Sequence, residues 1–237
     1  MIKEGISVFF PLYNDEATVE KLVDDTLSLL EPITNDYELI LVNDGSIDNT
    51  RTICNRLANE NAKIKVIHHE RNKGYGAALK AGFANATKEL VFYTDGDGQY
   101  NVKELVELLP YIHEVDVVTG YKIKRSDPIY RKVLGKIYHW IAKFLFNLKV
   151  RDIDCDFRLL RRSIFNNITL ESDSGVICLE MMKKIQNAGY KIREVPVHHY
   201  PRISGRSQFF RVKNIIKVMA GLFTQWWKLV VVKKIYG

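Results

Sequence analysis

Short apolar runs alternate with amphipathic stretches through the first half of the chain. The runs over 6–12, 37–42, 64–68 and 90–94 are rich in Val, Ile, Leu and Phe, as strands buried on both faces of a sheet are. Between the first two, Val19, Leu22, Val23, Thr26, Leu27 and Leu30 recur at helical spacing and predict a helix over 16–30. Comparable patterns predict helices over 47–59, 77–86 and 102–112 and a strand over 115–119. A helix over 174–188 and a strand over 192–198 complete the series. This alternation predicts an α/β fold, a mostly parallel central sheet flanked by helices. The second strand ends in Asn43-Asp44-Gly45-Ser46 and the fourth in Asp95-Gly96-Asp97. Polar loops at that edge are where open α/β sheets bind ligands.

Two later stretches carry a different pattern. Within 121–151, Ile129, Val133, Ile137, Trp140, Ile141, Phe144 and Leu145 form an apolar helical stripe among lysines and arginines, the signature of a helix lying in a membrane interface. The stretch over 208–237 repeats it, with Phe209, Ile215, Met219, Leu222, Trp226 and Trp227 beside Arg211, Lys213, Lys217 and Lys228. The uncharged run over 218–227 is too short to span a bilayer, so no transmembrane span is predicted. The N-terminal residues lack the basic and apolar regions of a secretory signal. The expected layout is one α/β domain over 1–207, with a basic amphipathic helix inside 121–151, followed by a basic amphipathic segment over 208–237.

A chain of 237 residues, 46% hydrophobic and 27% charged with few Gly and Pro, buries a full core without metal or disulfide staples and is not disordered. Its cysteines, Cys54, Cys155 and Cys178, are odd in number and far apart, which suggests neither a disulfide framework nor a zinc ribbon and fits a reducing cytosol. The net charge of +7 by itself suggests nucleic acid or an anionic membrane as partner. Its distribution narrows the choice. Residues 1–120 carry −9, residues 121–151 carry +8, residues 152–194 are neutral and residues 195–237 carry +8. The acidic half argues against nucleic acid, and the two basic, apolar-striped segments point to an anionic membrane surface.

Asp95-Gly-Asp-Gly-Gln99 is the sharpest chemical feature. Two carboxylates two residues apart after a buried strand suit a hard divalent cation, Mg²⁺ or Mn²⁺, shared with a diphosphate, and the glycines let phosphate approach the backbone. A calcium loop fails, because the Gly and Glu it needs fall on Tyr100 and Val106. Asn43-Asp44-Gly45-Ser46 and Pro11-Leu-Tyr-Asn-Asp-Glu16 in isolation read as strand ends and capped helix starts. Lys73-Gly-Tyr-Gly-Ala-Ala-Leu79 lacks the third glycine of a dinucleotide fingerprint. The pairs His68-His69 and His198-His199 lie on strand ends, where adjacent side chains face opposite ways and supply one ligand per face.

Taken together and in order, these motifs resemble the family 2 glycosyltransferases, which have the nucleotide-diphospho-sugar-binding GT-A fold. Asp154-Cys-Asp-Phe-Arg-Leu159, Glu194-Val-Pro-Val197 and Arg202-Ile-Ser-Gly-Arg-Ser207 look like the polyprenyl-phosphate branch, the dolichol-phosphate mannose synthases and their bacterial relatives. The resemblance implies that Pro11, Tyr13, Glu16 and Asp44 line the nucleoside pocket, with Gly74 on the donor side and Asp44 accepting a hydrogen bond from the base. It implies that Asp95, Asp97 and Gln99 surround the diphosphate and its metal. Arg125 and Arg131 match the two arginines that meet the lipid phosphate, and Arg202 and Ser207 match the loop that closes over the donor. Arg206 adds a cation inside that loop, and Lys122 stands where many relatives have Arg.

The implied reaction is transfer of a sugar from a UDP- or GDP-sugar to a polyprenyl phosphate, undecaprenyl or dolichyl, with inversion. The metal at Asp97 and Gln99, with Arg202, would stabilise the departing nucleotide. A phosphate acceptor is already largely dianionic at neutral pH and needs no base, so Arg125 and Arg131 would suffice to position it. A saccharide or protein hydroxyl acceptor is the alternative and would need a carboxylate base, for which Glu180 ranks below a structural role. A membrane-associated, non-catalytic nucleotide-sugar-binding subunit is the third reading. The expected setting is peripheral, on the cytoplasmic face of a membrane, as a homo-oligomer or with a membrane-protein partner.

Overall fold

A computed structural model describes residues 2–123, 129–202 and 220–232, with residues 129–134 and 136–138 described by their backbone alone. Arg125, Arg206 and Ser207 lie outside the described residues, as does the side chain of Arg131. The order is β1 (Ile6–Leu12), α1 (Val19–Leu30), β2 (Tyr37–Asn43), α2 (Thr50–Glu60), β3 (Ile64–His68), α3 (Tyr75–Asn85), β4 (Leu90–Thr94), β5 (Val117–Ile123), α4 (Ile129–Phe146), β6 (Phe157–Arg161), α5 (Ile177–Asn187) and β7 (Ile192–His198). A helical segment over 220–232 ends in a π-helical turn, Trp227–Val232.

The strands form one seven-stranded sheet in the order β3-β2-β1-β4-β6-β5-β7. Every pairing is parallel except those of β6, which runs antiparallel to both β4 and β5. Alternate residues of each strand feed two cores. Ile6, Val8, Phe10 and Leu12 face α1, α2 and the 102–112 turns, whereas Phe9, Ile40, Val42 and Tyr93 face α3, α4, α5 and the 220–232 segment. Burial on both faces explains the unbroken apolar runs of β1 and β2.

Two expectations are corrected. The 102–112 stretch is two short 3₁₀ turns, Val102–Glu107 and Leu109–Tyr111, and Pro110, which has no N–H and disfavours α geometry in the residue before it, explains why an α-helix does not continue. The strand β6 escaped the hydrophobic pattern because Arg158 interrupts it, and that arginine is fully buried. The stripe on α4 splits. Of its described side chains Leu145 packs on the core, while Trp140, Ile141 and Phe144 stay exposed, and Ala142 and Phe146, which are not on the stripe, are the residues α4 buries. In the C-terminal segment Leu222 is buried and Trp226 packs on the core, leaving Phe223 and Trp227 outside. Among the described residues no helix is long and apolar enough to cross a membrane.

β1 pairs with β4 only from Ile6 to Phe9, although it pairs with β2 as far as Leu12. Pro11, which cannot donate to a ladder, therefore sits where β4 has already ended. The strands part there, and the chain runs on from β1 to β2 and from β4 to β5, toward opposite edges of the sheet, which opens a crevice at the C-terminal edge.

The opposite edge is closed by Glu38 of β2. Its carboxylate accepts from Ser7 Oγ and Lys65 Nζ at 2.6 Å, and from Thr87 N and Oγ1 at 2.7 and 2.8 Å. Burial opposes its charge, but Lys65 and these donors outweigh that cost and bring the carboxyl down to about 2. A depressed acid pKa contributes stability above the unfolded value and loses it as pH falls toward the folded one. Glu38→Gln is expected to lower stability at pH 7 by about 1–3 kcal/mol and to lose less of what remains between pH 5 and 2 than the wild type. Urea titrations across that pH range check both statements.

Candidate active site

The loops that follow β1, β2, β3 and β4 converge on the crevice because the parallel strands all end there. Side chains zip the first two loops together. Asn14 N donates to Ser46 Oγ at 3.0 Å, Ile47 N to Asn14 Oδ1 at 2.9 Å, and Asp15 N to Thr50 Oγ1 at 2.9 Å. Asn14 takes a positive φ of 58°, which Asn tolerates better than most residues. Glu16 belongs to the same zipper, since it accepts from Asn49 N at 2.9 Å. It is exposed, and its carboxylate is spent on the start of α2. Pro11 is buried beneath the loop and Tyr13 half-buried on it.

Asp44 anchors the third loop. Its Oδ1 accepts from His69 Nδ1 at 2.6 Å and Lys73 N at 2.9 Å, and its Oδ2 from Gly74 N at 2.9 Å. Two glycines make the closure possible. A Cβ on Gly45 would lie 2.3 Å from the Arg71 carbonyl carbon, and one on Gly74, at φ 104°, would lie 2.4 Å from the Asp173 oxygen. The loop borders a cavity of about 530 Å³ lined by Arg71, Asn72, Lys73, Ala77 and Asp173.

The acidic cluster sits beside this cavity's loops on the same sheet edge. Tyr75 Oη donates to Asp95 Oδ1 at 2.7 Å, and Gln99 N to Asp97 Oδ1 at 3.0 Å. Asp97 Oδ2 pairs with Arg202. Gln99 Nε2 donates to Tyr200 O at 3.1 Å, and Tyr200 N to Gln99 O at 2.8 Å, so the residues after β7 are tied to the motif. Burial, with Asp156 and Asp97 next, pushes Asp95 well above the usual carboxylate range. Burial also raises Asp97, against the pull of Arg202. Asp15 is pushed up to about 7 by burial, opposed by the Tyr13 N–H and reinforced by Asp97.

Asp156 arrives from the other direction. Because β6 is antiparallel and Thr94 pairs with Phe157, its N-terminal end lies beside Asp95. Asp156 Oδ1 accepts from Arg158 at 3.1 Å and from Cys178 Sγ at 2.9 Å. Arg158 also donates to Tyr93 Oη, to Thr119 Oγ1 at 3.2 Å and to Ile153 O at 2.5 Å. Among the described residues four carboxylates, Asp15 and Asp97 buried and Asp95 and Asp156 half-buried, thus face two arginines, an imbalance that suits a divalent cation. No three carboxylate, imidazole or thiol groups converge as a complete ligand set among the described residues. Asp95, Asp97 and the Gln99 amide oxygen fit such a cation as a partial set that a diphosphate completes.

A sequence model of the family "Glycosyl transferase family 2" matches residues 7–169. The chain belongs to glycosyl transferase family 2. It is 28% identical over 236 residues to glycosyltransferase AglD of Haloferax volcanii, covering 95% of this chain and 38% of that one. It is also 28% identical to undecaprenyl-phosphate 4-deoxy-4-formamido-L-arabinose transferase of Yersinia pestis, over 92% of this chain and 66% of that one. The chain therefore spans about two fifths of the first relative's length and just under two thirds of the second's. Glucosyl-3-phosphoglycerate synthase from Mycobacterium tuberculosis superposes with a TM-score of 0.72 at 18% identity, covering 94% of this chain and 80% of that one. The GT-A fold expected from the motifs is the fold observed. That synthase has been crystallised with Mn²⁺, UDP-glucose and phosphoglyceric acid, and with Mg²⁺ and UDP.

In this family 2 glycosyltransferase the structure brings together Pro11, Tyr13, Asp44, Gly74, Asp95, Asp97, Gln99 and Arg202 on one edge. Lys122 is engaged by Asp154 O at 2.5 Å and Asp152 at 3.6 Å. Glu180 is buried and accepts from Glu171 N, Ser172 N and Lys184, so it holds a loop. Residue patterns missed Asp15, His69, Tyr75, Asp156 and Arg158. The stretch Asp154-Cys-Asp-Phe-Arg-Leu159 held Asp156 and Arg158 but gave them no role, and only strand direction gives them a place.

Two stability tests follow from this electrostatics. Arg158→Ala is expected to cost about 3–5 kcal/mol, because it removes a fully buried side chain and leaves the half-buried Asp156 without its cation. Guanidinium denaturation measures it. An acid whose pKa is raised on folding loses stability as pH rises from the unfolded to the folded value. Asp15→Asn, which keeps an acceptor for the Tyr13 N–H, is expected to gain on the order of 1–3 kcal/mol over wild type at pH 7.5 and little at pH 4. A gain independent of pH would contradict the assignment.

Proposed function

We propose that the chain transfers a sugar from a nucleotide-diphosphate donor to a polyprenyl phosphate at a membrane surface, with inversion at the anomeric carbon. The observation that carries the reading is the acidic cluster around Asp95 and Asp97, only partly compensated by Arg202 and flanked by Gln99, in the crevice beside the cavity bounded by the Asp44-anchored loop. The names of the relatives, one of them an undecaprenyl-phosphate sugar transferase, support the acceptor class.

In this reading the nucleoside lies along Pro11, Tyr13, Asp44 and Gly74, and the diphosphate reaches the acidic cluster. A divalent cation, Mg²⁺ or Mn²⁺, held by Asp95, Asp97 and Gln99, supplies charge neutralisation for the leaving nucleotide. Arg202, which pairs with Asp97, is a protein cation placed for that diphosphate, and Ser207 follows it in the chain. Arg125 and Arg131 position the acceptor phosphate. A lipid phosphate arrives ionised, so orientation and exclusion of water are what these residues contribute.

The membrane role rests on the two +8 segments and on the aromatic side chains Trp140, Phe144, Phe223 and Trp227, which no core covers. Residues 1–207 form the catalytic domain and 208–237 the part that meets lipid, on the cytoplasmic face, where anionic headgroups attract each basic residue by about 1 kcal/mol. A homo-oligomer or a membrane-protein partner is compatible with this arrangement. One observation favours a second reading, transfer to a hydroxyl: Asp156 is fastened through Oδ1, and its Oδ2 has no partner among the described residues. That oxygen is a candidate base.

Purified protein with Mn²⁺ or Mg²⁺, UDP- or GDP-sugars and undecaprenyl or dolichyl phosphate is expected to yield a sugar-phospho-lipid. Asp97→Ala should lower its rate by about 10²–10³-fold, and chelation should abolish it. Asp156→Asn should leave the rate on lipid phosphate within about tenfold, whereas a hydroxyl acceptor would make that variant nearly inactive. No lipid product from any donor would defeat the proposal. Trp140→Ala with Phe144→Ala is expected to weaken sedimentation with anionic liposomes, and unchanged binding would remove the membrane role from α4.

A further inference from the structure

The two carboxylates of the acidic motif are each held through Oδ1. Asp95 Oδ1 accepts from Tyr75 Oη at 2.7 Å, and Asp97 Oδ1 from Gln99 N at 3.0 Å. Asp97 Oδ2 pairs with Arg202, whereas Asp95 Oδ2 has no partner among the described residues. The Gln99 contact lies within the motif's own turn. The Tyr75 contact instead joins the end of β4 to the start of α3, so it exists only because two loops meet.

Both sides of that contact are pinned. Gly74 N donates to Asp44 Oδ2 at 2.9 Å, and Gly76 N to Asp173 O at 3.0 Å. A Cβ on Gly74 would lie 2.4 Å from Asp173 O, and one on Gly76 would lie 2.3 Å from Ser172 O. The backbone on either side of Tyr75 is therefore wedged against residues 172–173, and its ring packs on the core beneath α3. Across from it, Thr94 is in register with Phe157, and Thr18 Oγ1 donates to Gly96 O at 2.6 Å. A Cβ on Gly96 would lie 2.3 Å from Leu12 Cδ2. Neither the phenol nor the carboxylate can shift without breaking these contacts.

We infer that Tyr75 is a positioning residue that holds Asp95 as a one-oxygen ligand, and that it thereby selects Mg²⁺ or Mn²⁺ over Ca²⁺. An ionised carboxylate only accepts, so the phenol supplies the proton of this bond. A cation that takes both oxygens would turn Asp95 away from Tyr75 and forfeit a hydrogen bond to a charged group. Ca²⁺ gathers about six to eight oxygens and often takes a carboxylate through both of its own. Mg²⁺ and Mn²⁺ favour an octahedral set, and Mg²⁺ sites are commonly built from one or two carboxylates completed by phosphate and water. Asp95 through Oδ2, with Asp97, the Gln99 amide oxygen and a diphosphate, is a set of that second kind. The inference rests on the nucleotide-sugar reading above and names the residue that sets its cation.

The test is competition of Ca²⁺ against Mn²⁺ on the full chain with UDP, and in parallel with GDP, followed by the electron paramagnetic resonance of free Mn²⁺. The wild type is expected to bind Mn²⁺ at least about tenfold more tightly than Ca²⁺. Tyr75→Phe, which removes only the hydroxyl, is expected to weaken Mn²⁺ binding by about tenfold, as loss of a partner behind a metal ligand does, and to leave Ca²⁺ nearly unchanged. A purely structural Tyr75 would weaken both ions equally, and that outcome, or an unchanged Mn²⁺ affinity, would overturn its role. Ca²⁺ binding as tightly as Mn²⁺ to the wild type would overturn the selection while leaving the nucleotide-sugar reading intact. Mn²⁺ binding with neither nucleotide would remove that reading and the inference with it. Should the Phe variant not fold, infrared difference spectra of the wild type decide the matter. Loading with Mg²⁺ is expected to widen the separation of the two carboxylate stretches, as one-oxygen binding does, and a narrowed separation would overturn the inference.

Discussion

Crowded, buried negative charge governs this molecule. Asp15, Asp95, Asp97 and Asp156 crowd one sheet edge, where burial and neighbouring carboxylates raise the proton affinity of Asp15, Asp95 and Asp97, and among the described residues Arg202 and Arg158 are the arginines paired with the group. Burial alone makes each carboxylate costly, and their mutual repulsion adds to it. A fold tolerates such a cluster when a ligand brings the missing positive charge. A diphosphate could not do that alone, because it is itself an anion, so in the proposed function a divalent cation and the nucleotide donor would bind together. The crevice between β1 and β4 is where both have access.

The antiparallel strand β6 makes the cluster possible. In an all-parallel sheet every strand would offer its C-terminal end to the crevice, and the residues before β6 would lie at the opposite edge. Reversal delivers Asp156 beside Asp95 and carries Arg158 into the space under them. Buried guanidinium is tolerated there because Tyr93, Thr119, Asp156 and the Ile153 carbonyl accept its hydrogens. Active-site chemistry and core packing thus meet in a single side chain.

Charge is separated along the chain on a larger scale as well. The donor half carries −9 and the two amphipathic segments +8 each. In the proposed function the acidic half takes up a cation and a nucleotide, while the basic segments, with Trp140, Phe144, Phe223 and Trp227 exposed, suit an anionic surface that would carry the acceptor. The C-terminal segment is also fastened to the donor side, since Lys228 pairs with Glu171 at 2.6 Å and Glu171 borders the loop that packs on Gly74 and Gly76.

Hydrophobic periodicity by itself determined the α/β class, six of the strands and the helices that cover them, because burial on two faces leaves an unmistakable apolar run. Motif order determined the family and named Asp44, Asp95, Asp97 and Gln99. Strand β6 was hidden by Arg158, whose burial depends on partners distant in sequence, and the 102–112 turns were hidden because spacing alone does not separate 3₁₀ from α geometry. Which carboxylates share a site was decided by the tertiary structure, through the direction of β6 and the register of Thr94 with Phe157. The same holds for Asp44, whose acidic side chain is visible in any reading of the chain. Its carboxylate is held by three donors from residues 69–74, and only the folded loop brings them to it.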